Sequence, residues 1–157
     1  MDASNRWVLL AYRLPREPST PRITLWRKLR RAGAVQVLDS LAALPLTART
    51  QEQFEWLAEE VIEAGGEASV WVASPRAAAE ERDLTGRLAA ASAEDYQAVI
   101  AAAEVALREP SLARRRTLNR LRRELRRIND RDYTSPPERN GAQTAVAAFA
   151  ATVEVSA

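Results

Sequence analysis

Cysteine and histidine are both absent from the 157 residues, and Lys28 is the sole lysine. Without cysteine there are no disulfides and no thiolate nucleophiles. Without either residue, zinc sites of the Cys/His kind and Ser-His-Asp or Cys-His catalysis are excluded. The imidazole that most often serves as general base near neutral pH is missing as well. Only carboxylates and carbonyls remain to hold a metal, a donor set suited to hard cations such as magnesium. No apolar run approaches the roughly 18–20 residues that a membrane span requires. The first residues, Met1-Asp2-Ala3-Ser4-Asn5-Arg6, are polar and lack the apolar region of a signal peptide, so a cytoplasmic location and no membrane partner are expected.

The formal net charge is only +2, yet the sequence pI is about 9.5. The two agree because nearly all of the basic charge is arginine. So small a net charge does not demand a nucleic-acid partner, and its distribution along the chain is more informative.

Trp7–Leu14 is apolar, β-prone and stopped by Pro15, which reads as a strand. Trp7, Leu9 and Ala11 fall on one face and Val8, Leu10, Tyr12 and Leu14 on the other, so the sheet should be covered on both sides. Thr20 as N-cap and Pro21 at the first helical position open a helix whose inward stripe is Leu25, Trp26 and Leu29. Gly33 ends it. Ala34–Leu38 and Leu41–Leu46 read as two short strands about Asp39-Ser40. Thr50 is expected to cap a second helix with Phe54, Leu57, Ala58, Val61 and Ile62 inward, and Gly65-Gly66 stop it before a fourth strand, Glu67–Ala73.

The order β-α-β-β-α-β predicts an α+β protein with a ferredoxin-like domain over residues 1–75. Its two helices on one face leave the other face in need of a cover, which a second copy or the C-terminal half would supply. Residues 76–157 lack strand signals and are expected to be all helical, packing on the first domain or mediating dimerisation. Helices are predicted over Ala77–Ala90, Ala93–Arg108, Leu112–Asn129 and Gln143–Val153. The third carries Leu118, Leu121, Leu125 and Ile128 in a 3-4-3 seam.

Several spaced blocks resemble one family. They are Trp7-Val8-Leu9-Leu10-Ala11-Tyr12-Arg13-Leu14-Pro15, Trp26-Arg27-Lys28-Leu29-Arg30-Arg31-Ala32-Gly33-Ala34 and Phe54-Glu55-Trp56-Leu57-Ala58 leading to Ala64-Gly65-Gly66-Glu67-Ala68. With the later Ile128…Asp132-Tyr133…Pro136 segment, they look like the N-terminal domain of the chromate-resistance regulator ChrB. The resemblance implies a DNA-binding transcriptional regulator. It also implies kinship with the ferredoxin-like domains of phenylacetate-pathway repressors and CRISPR-associated adaptation nucleases. Those nucleases place an aspartate at the end of the first strand, where Tyr12-Arg13-Leu14 stand here, so metal-dependent nuclease activity is the third-ranked expectation. Family members carry a further C-terminal chromate-resistance domain for which this length has no room, so chromate chemistry is not carried over.

Two arginine clusters are the candidate DNA- or anion-binding sites. On the third predicted C-terminal helix, Arg116, Arg120, Arg123 and Arg127 share a face opposite the leucine seam. On the first helix, Arg22, Arg27, Lys28, Arg30 and Arg31 form a second patch. Such faces contact successive phosphates; equally, they are solvated, or paired with acids such as Glu80, Glu81 and Asp83. Trp56 lies about 200° around its helix from Phe54, among glutamates, and is the candidate interface residue, against the C-terminal helical half or the second subunit of a homodimer. The carboxylate pairs on helices read as solvated faces. The expected protein is therefore a non-enzymatic DNA-binding regulator with no cofactor, no metal and no catalytic residue. The alternative is a homo-oligomeric protein–protein interaction module without DNA binding.

Overall fold

The computed structural model describes residues 6–155. Within them the protein is α+β, with one four-stranded antiparallel sheet and five helices. The chain divides inside its longest helix into two compact units, one through Leu88 and one from Ala89.

In the first unit the order is β1 (Trp7–Arg13), α1 (Thr20–Ala32), β2 (Val35–Leu38), β3 (Leu41–Pro45), α2 (Ala48–Glu63) and β4 (Glu67–Ala73). The strands lie in the order β2-β3-β1-β4. Leu10 pairs with Ala42 and Val70, and Val8 with Leu44 and Val72. Facing pairs share a side of a sheet, so these residues form the face on which Leu25 and Leu29 of α1 and Phe54, Leu57 and Val61 of α2 are buried.

The opposite face carries Trp7 and Leu9. It is met by the first turns of α3 (Ala78–Ala106), whose Glu81 Oε2 accepts from Trp7 Nε1 at 2.6 Å. Arg87, further along α3, donates to the carbonyl of Gln36 on β2 at 2.6 Å. Within this unit α3 thus covers the Trp7 end of the second face, while Trp71, paired with Leu9 on the same face, stays 60% exposed.

Four local details depart from the sequence reading. Ser19, not Thr20, is the N-cap of α1, and its side chain makes no cap hydrogen bond. Trp26 is 55% exposed and belongs to the outer face, where the Arg30 guanidinium sits 5.1 Å from the ring centroid. Thr47, not Thr50, caps α2. Thr50 occupies the third position instead, where its hydroxyl accepts from the Thr47 N–H at 2.8 Å and donates to the Pro45 carbonyl at 2.6 Å. Thr47 Oγ1 accepts in turn from the Thr50 N–H at 3.0 Å, so a reciprocal capping box ties the end of β3 to α2. Ile62 is 56% exposed, because Val61 already occupies the inward position at that level.

Gly65 adopts φ +88°, the left-handed conformation that ends α2. At Gly66 a Cβ would overlap the Arg13 carbonyl and lie 2.9 Å from Val61 Cγ1, so glycine is required by contact there.

The second unit is a three-helix assembly of the remainder of α3, α4 (Ser111–Asp130) and α5 (Glu138–Val155). The two helices expected over Ala77–Ala90 and Ala93–Arg108 are one. Ala91-Ser92 contains no breaker, and Ser92 is buried. Tyr96, Val99 and Ala103 of α3 meet Leu118, Leu121 and Ile128 of α4 and Val146, Phe149 and Val153 of α5, with Leu125 partly buried beside them.

At one end of this core Asp132 is fully buried. Its carboxylate accepts from Tyr96 Oη at 2.8 Å and from the backbone N–H groups of Thr134 and Ser135 at 3.0 and 2.9 Å. Arg139 stands 3.9 Å away. Burial alone would raise the Asp132 pKa, but these donors and the guanidinium outweigh it and hold the carboxyl below its ordinary value. Burial, together with the bond to Asp132, pushes the Tyr96 phenol well above its usual range.

Two outcomes follow from these contacts. Gly66→Ala should destabilise the protein by about 2–3 kcal/mol in urea unfolding, as overpacking against backbone does. Asp132→Asn should cost about 1–3 kcal/mol near neutral pH. Because the folded-state pKa is depressed, the stabilisation is present above the unfolded carboxyl value of about 3.9 and is lost as pH falls through the folded value. The stability gap between wild type and Asp132→Asn should therefore narrow on acidification, as read by urea titrations at descending pH.

Candidate nucleic-acid interface

Helix α4 owes its form to its leucine seam and to straight-chain arginines, which favour helix. Burial of Leu118, Leu121 and Ile128 fixes which side faces inward. At about 100° per residue, Arg116, Arg120, Arg123 and Arg127 then fall on the far side. All four are exposed. Arg115, Arg122 and Arg126 are exposed too and form an adjoining stripe, at about 40–80° from Leu118. These three lie outside the face of four expected from the sequence. The two stripes together run about 18 Å along the helix axis.

Few acids neutralise this surface. Arg127 lies 3.7 Å from Glu124, an exposed pair of small energetic weight. Among the described residues no carboxylate forms an ion pair with Arg115, Arg116, Arg120, Arg122, Arg123 or Arg126. Of the acids named as intramolecular partners, Glu81 binds Trp7 and Asp83 lies 4.0 Å from Arg87, both within the first unit.

Two other arginines close to this sequence have structural duties. Arg114 donates to the carbonyls of Glu109 and Leu107 at 3.0 and 2.9 Å, beyond the end of α3. Arg131 binds Asp95 Oδ2 at 2.9 Å, tying α4's end to α3.

The α1 patch is less uniform. Lys28 is paired with Glu60 of α2 at 2.7 Å, and Arg30 rests on Trp26. Arg27 and Arg31 are exposed on the helix surface. Arg22, at the N-terminal end, lines a cavity beside β1 rather than joining the others. The α1 and α4 groups belong to different units. Trp56 is 61% exposed on α2, as its angular position required.

Among the described residues there is no cluster of three or more acidic side chains placed to hold a metal ion. No helix there is long and apolar enough to cross a membrane.

This is an α+β chain whose second unit displays an arginine-dense helix. The family model for the N-terminal region of protein ChrB matches residues 22–157, and the chain belongs to that family. The match begins at Arg22, so the Trp7–Pro15 block lies outside it. No curated protein and no solved structure matches the chain.

Proposed function

We propose that the protein is a DNA-binding transcriptional regulator of a chromate-resistance type system, acting without enzymatic chemistry in the cytoplasm. The observation that carries this reading is the run of exposed α4 arginines with almost no acid beside them. Membership of the ChrB N-terminal family supplies the regulatory context. Arg116, Arg120, Arg123 and Arg127 would hold phosphates, with Arg115, Arg122 and Arg126 widening the contact. Arg27 and Arg31 of α1 make a second, weaker cationic surface.

The first unit fits the ferredoxin-like plan, since its element order and the strand order β2-β3-β1-β4 are those the plan requires. We take that domain to end at β4, with the following residues through Leu88 adding helix against the Trp7 end of its open face. Duplex sites are commonly read by two-fold dimers. A homodimer in which Trp56 forms part of the contact suits this role, and the exposure of that indole is what favours it.

Fluorescence anisotropy on a labelled duplex tests the DNA reading. If four phosphates are contacted, log K against log salt should fall with a slope of about −4. Replacing Arg120 and Arg123 together by glutamine should reduce that slope by about 2. Absence of binding even at low salt would leave only the interaction-module alternative. Light scattering addresses the dimer: Trp56→Ala should shift its mass toward the monomer, and an unchanged dimer removes this residue from the interface.

A further inference from the structure

A cavity of the first unit has no part in either arginine face of the DNA reading apart from Arg22. It measures about 850 Å³ and opens on the helix side of the sheet, between the end of β1, the loop before α1, α1 itself and the β2–β3 turn. Its cationic groups are the key to its chemistry. Arg13 is taken up by an ion pair with Glu67. Arg16 and Arg22 also line it, and neither makes an ion pair or hydrogen bond with another described residue. Among the described residues that line it, the one carboxylate is Asp39.

The floor is preorganised. Gln36 Nε2 donates to Tyr12 Oη at 2.7 Å and to the Leu38 carbonyl at 2.7 Å, which fixes the amide and leaves the phenol proton free to donate outward. Burial raises the Tyr12 pKa; the Gln36 bond and Arg22 lower it, and Asp39 raises it. The net rise keeps the hydroxyl protonated. The wall is apolar, with Trp26 and Ile23 both lining the cavity and both exposed to solvent.

Size separates the possible occupants. Small-molecule sites commonly measure roughly 300–1,000 Å³. A bare tetrahedral oxyanion would fill only on the order of 100 Å³, a few waters' worth, and would use none of the indole surface. Guanidinium groups bind carboxylate and phosphate through paired N–H donors, and a flat ring gains further by lying on the indole.

We propose that this cavity binds a small organic anion with a flat apolar body, its carboxylate or phosphate held by Arg16 and Arg22 and its body against Trp26 and Ile23. Five of the residues shaping it, Tyr12, Arg13, Leu14, Arg16 and Ser19, precede the segment matched by the ChrB family model. The inference stands apart from DNA binding, because its test contains no DNA.

The chain has four tryptophans, so its NMR spectrum offers four indole N–H reporters. Trp26→Phe identifies the Trp26 signal. Phenyl phosphate and benzoate, titrated separately into the full chain, distinguish the two anion types. At least one should move the Trp26 signal saturably. Arg16→Gln and Arg22→Gln should each weaken that binding about tenfold or more, equivalent to about 1.4 kcal/mol. The other three indole signals should stay in place, which reports an intact fold in each variant. Inorganic phosphate and chromate should bind at least about tenfold more weakly than the aromatic probe. The proposal is overturned if neither aromatic probe shifts the signal up to roughly 10 mM, a range in which even millimolar affinity registers. It is equally overturned if both glutamine variants bind like wild type, or if inorganic phosphate or chromate binds as tightly as the aromatic probes.

Discussion

The buried carboxylate of Asp132 organises the second unit. A charge removed from water is tolerated only when it is fully bonded, and this one gathers its donors from three places at once. Tyr96 reaches it from α3, Thr134 and Ser135 from the turn after α4, and Arg139 from α5. The two backbone bonds are local to the turn, whereas the contacts from Tyr96 and Arg139 bring α3 and α5 to it. Ser135 takes a positive φ of 48° in the same turn, a conformation held by the bond from its N–H to Asp132. The leucine seam of α4 supplies the apolar attraction. That seam sets the outward side of the arginines, and Asp132 fixes the turn into α5.

Arginine performs two different tasks in this chain, and the surrounding atoms separate them. Arg87, Arg114 and Arg131 reach backbone carbonyls or a part-buried carboxylate and hold elements together. Their planar forks suit such multiple contacts. The exposed arginines of α4 have no such duty. Seven of them on one helix repel one another, and among the described residues only Arg127 has a carboxylate within ion-pair reach.

Much of the architecture was legible in the sequence. The limits of β4 and the glycine stops follow from hydrophobic pattern and turn chemistry, and the buried face of α4 follows from its 3-4-3 spacing. The arginine face was legible for the same reason, because an amphipathic helix fixes its outer side once its inner side is known. Other features depend on tertiary geometry. Trp26 is as apolar as Leu25 on any scale, yet only the sheet's position decides which of the two is inward. Thr47 and Thr50 both suit a cap, and the carbonyl of Pro45 decides between them by accepting the Thr50 hydroxyl. The union of two expected helices into α3 rests on the missing breaker at Ala91-Ser92, since small polar residues at a helix interior look like a turn until they are packed. The anion cavity was out of reach for a related reason: Arg16, Arg22, Trp26 and Gln36 come from a loop, a helix and a strand that meet only in the fold.

The composition of the α4 surface has a consequence for control. Guanidinium stays protonated at any pH a cell reaches, and this chain has no histidine and, beyond Lys28, no side-chain amine. The exposed face of α4 therefore has no proton to lose and no lysine to acetylate. Its positive charge is fixed across physiological pH, and only the ionic strength around it modulates its attraction for anions. Any on–off behaviour must then come from what occupies the protein or how its parts are arranged, because the charge itself cannot be dialled.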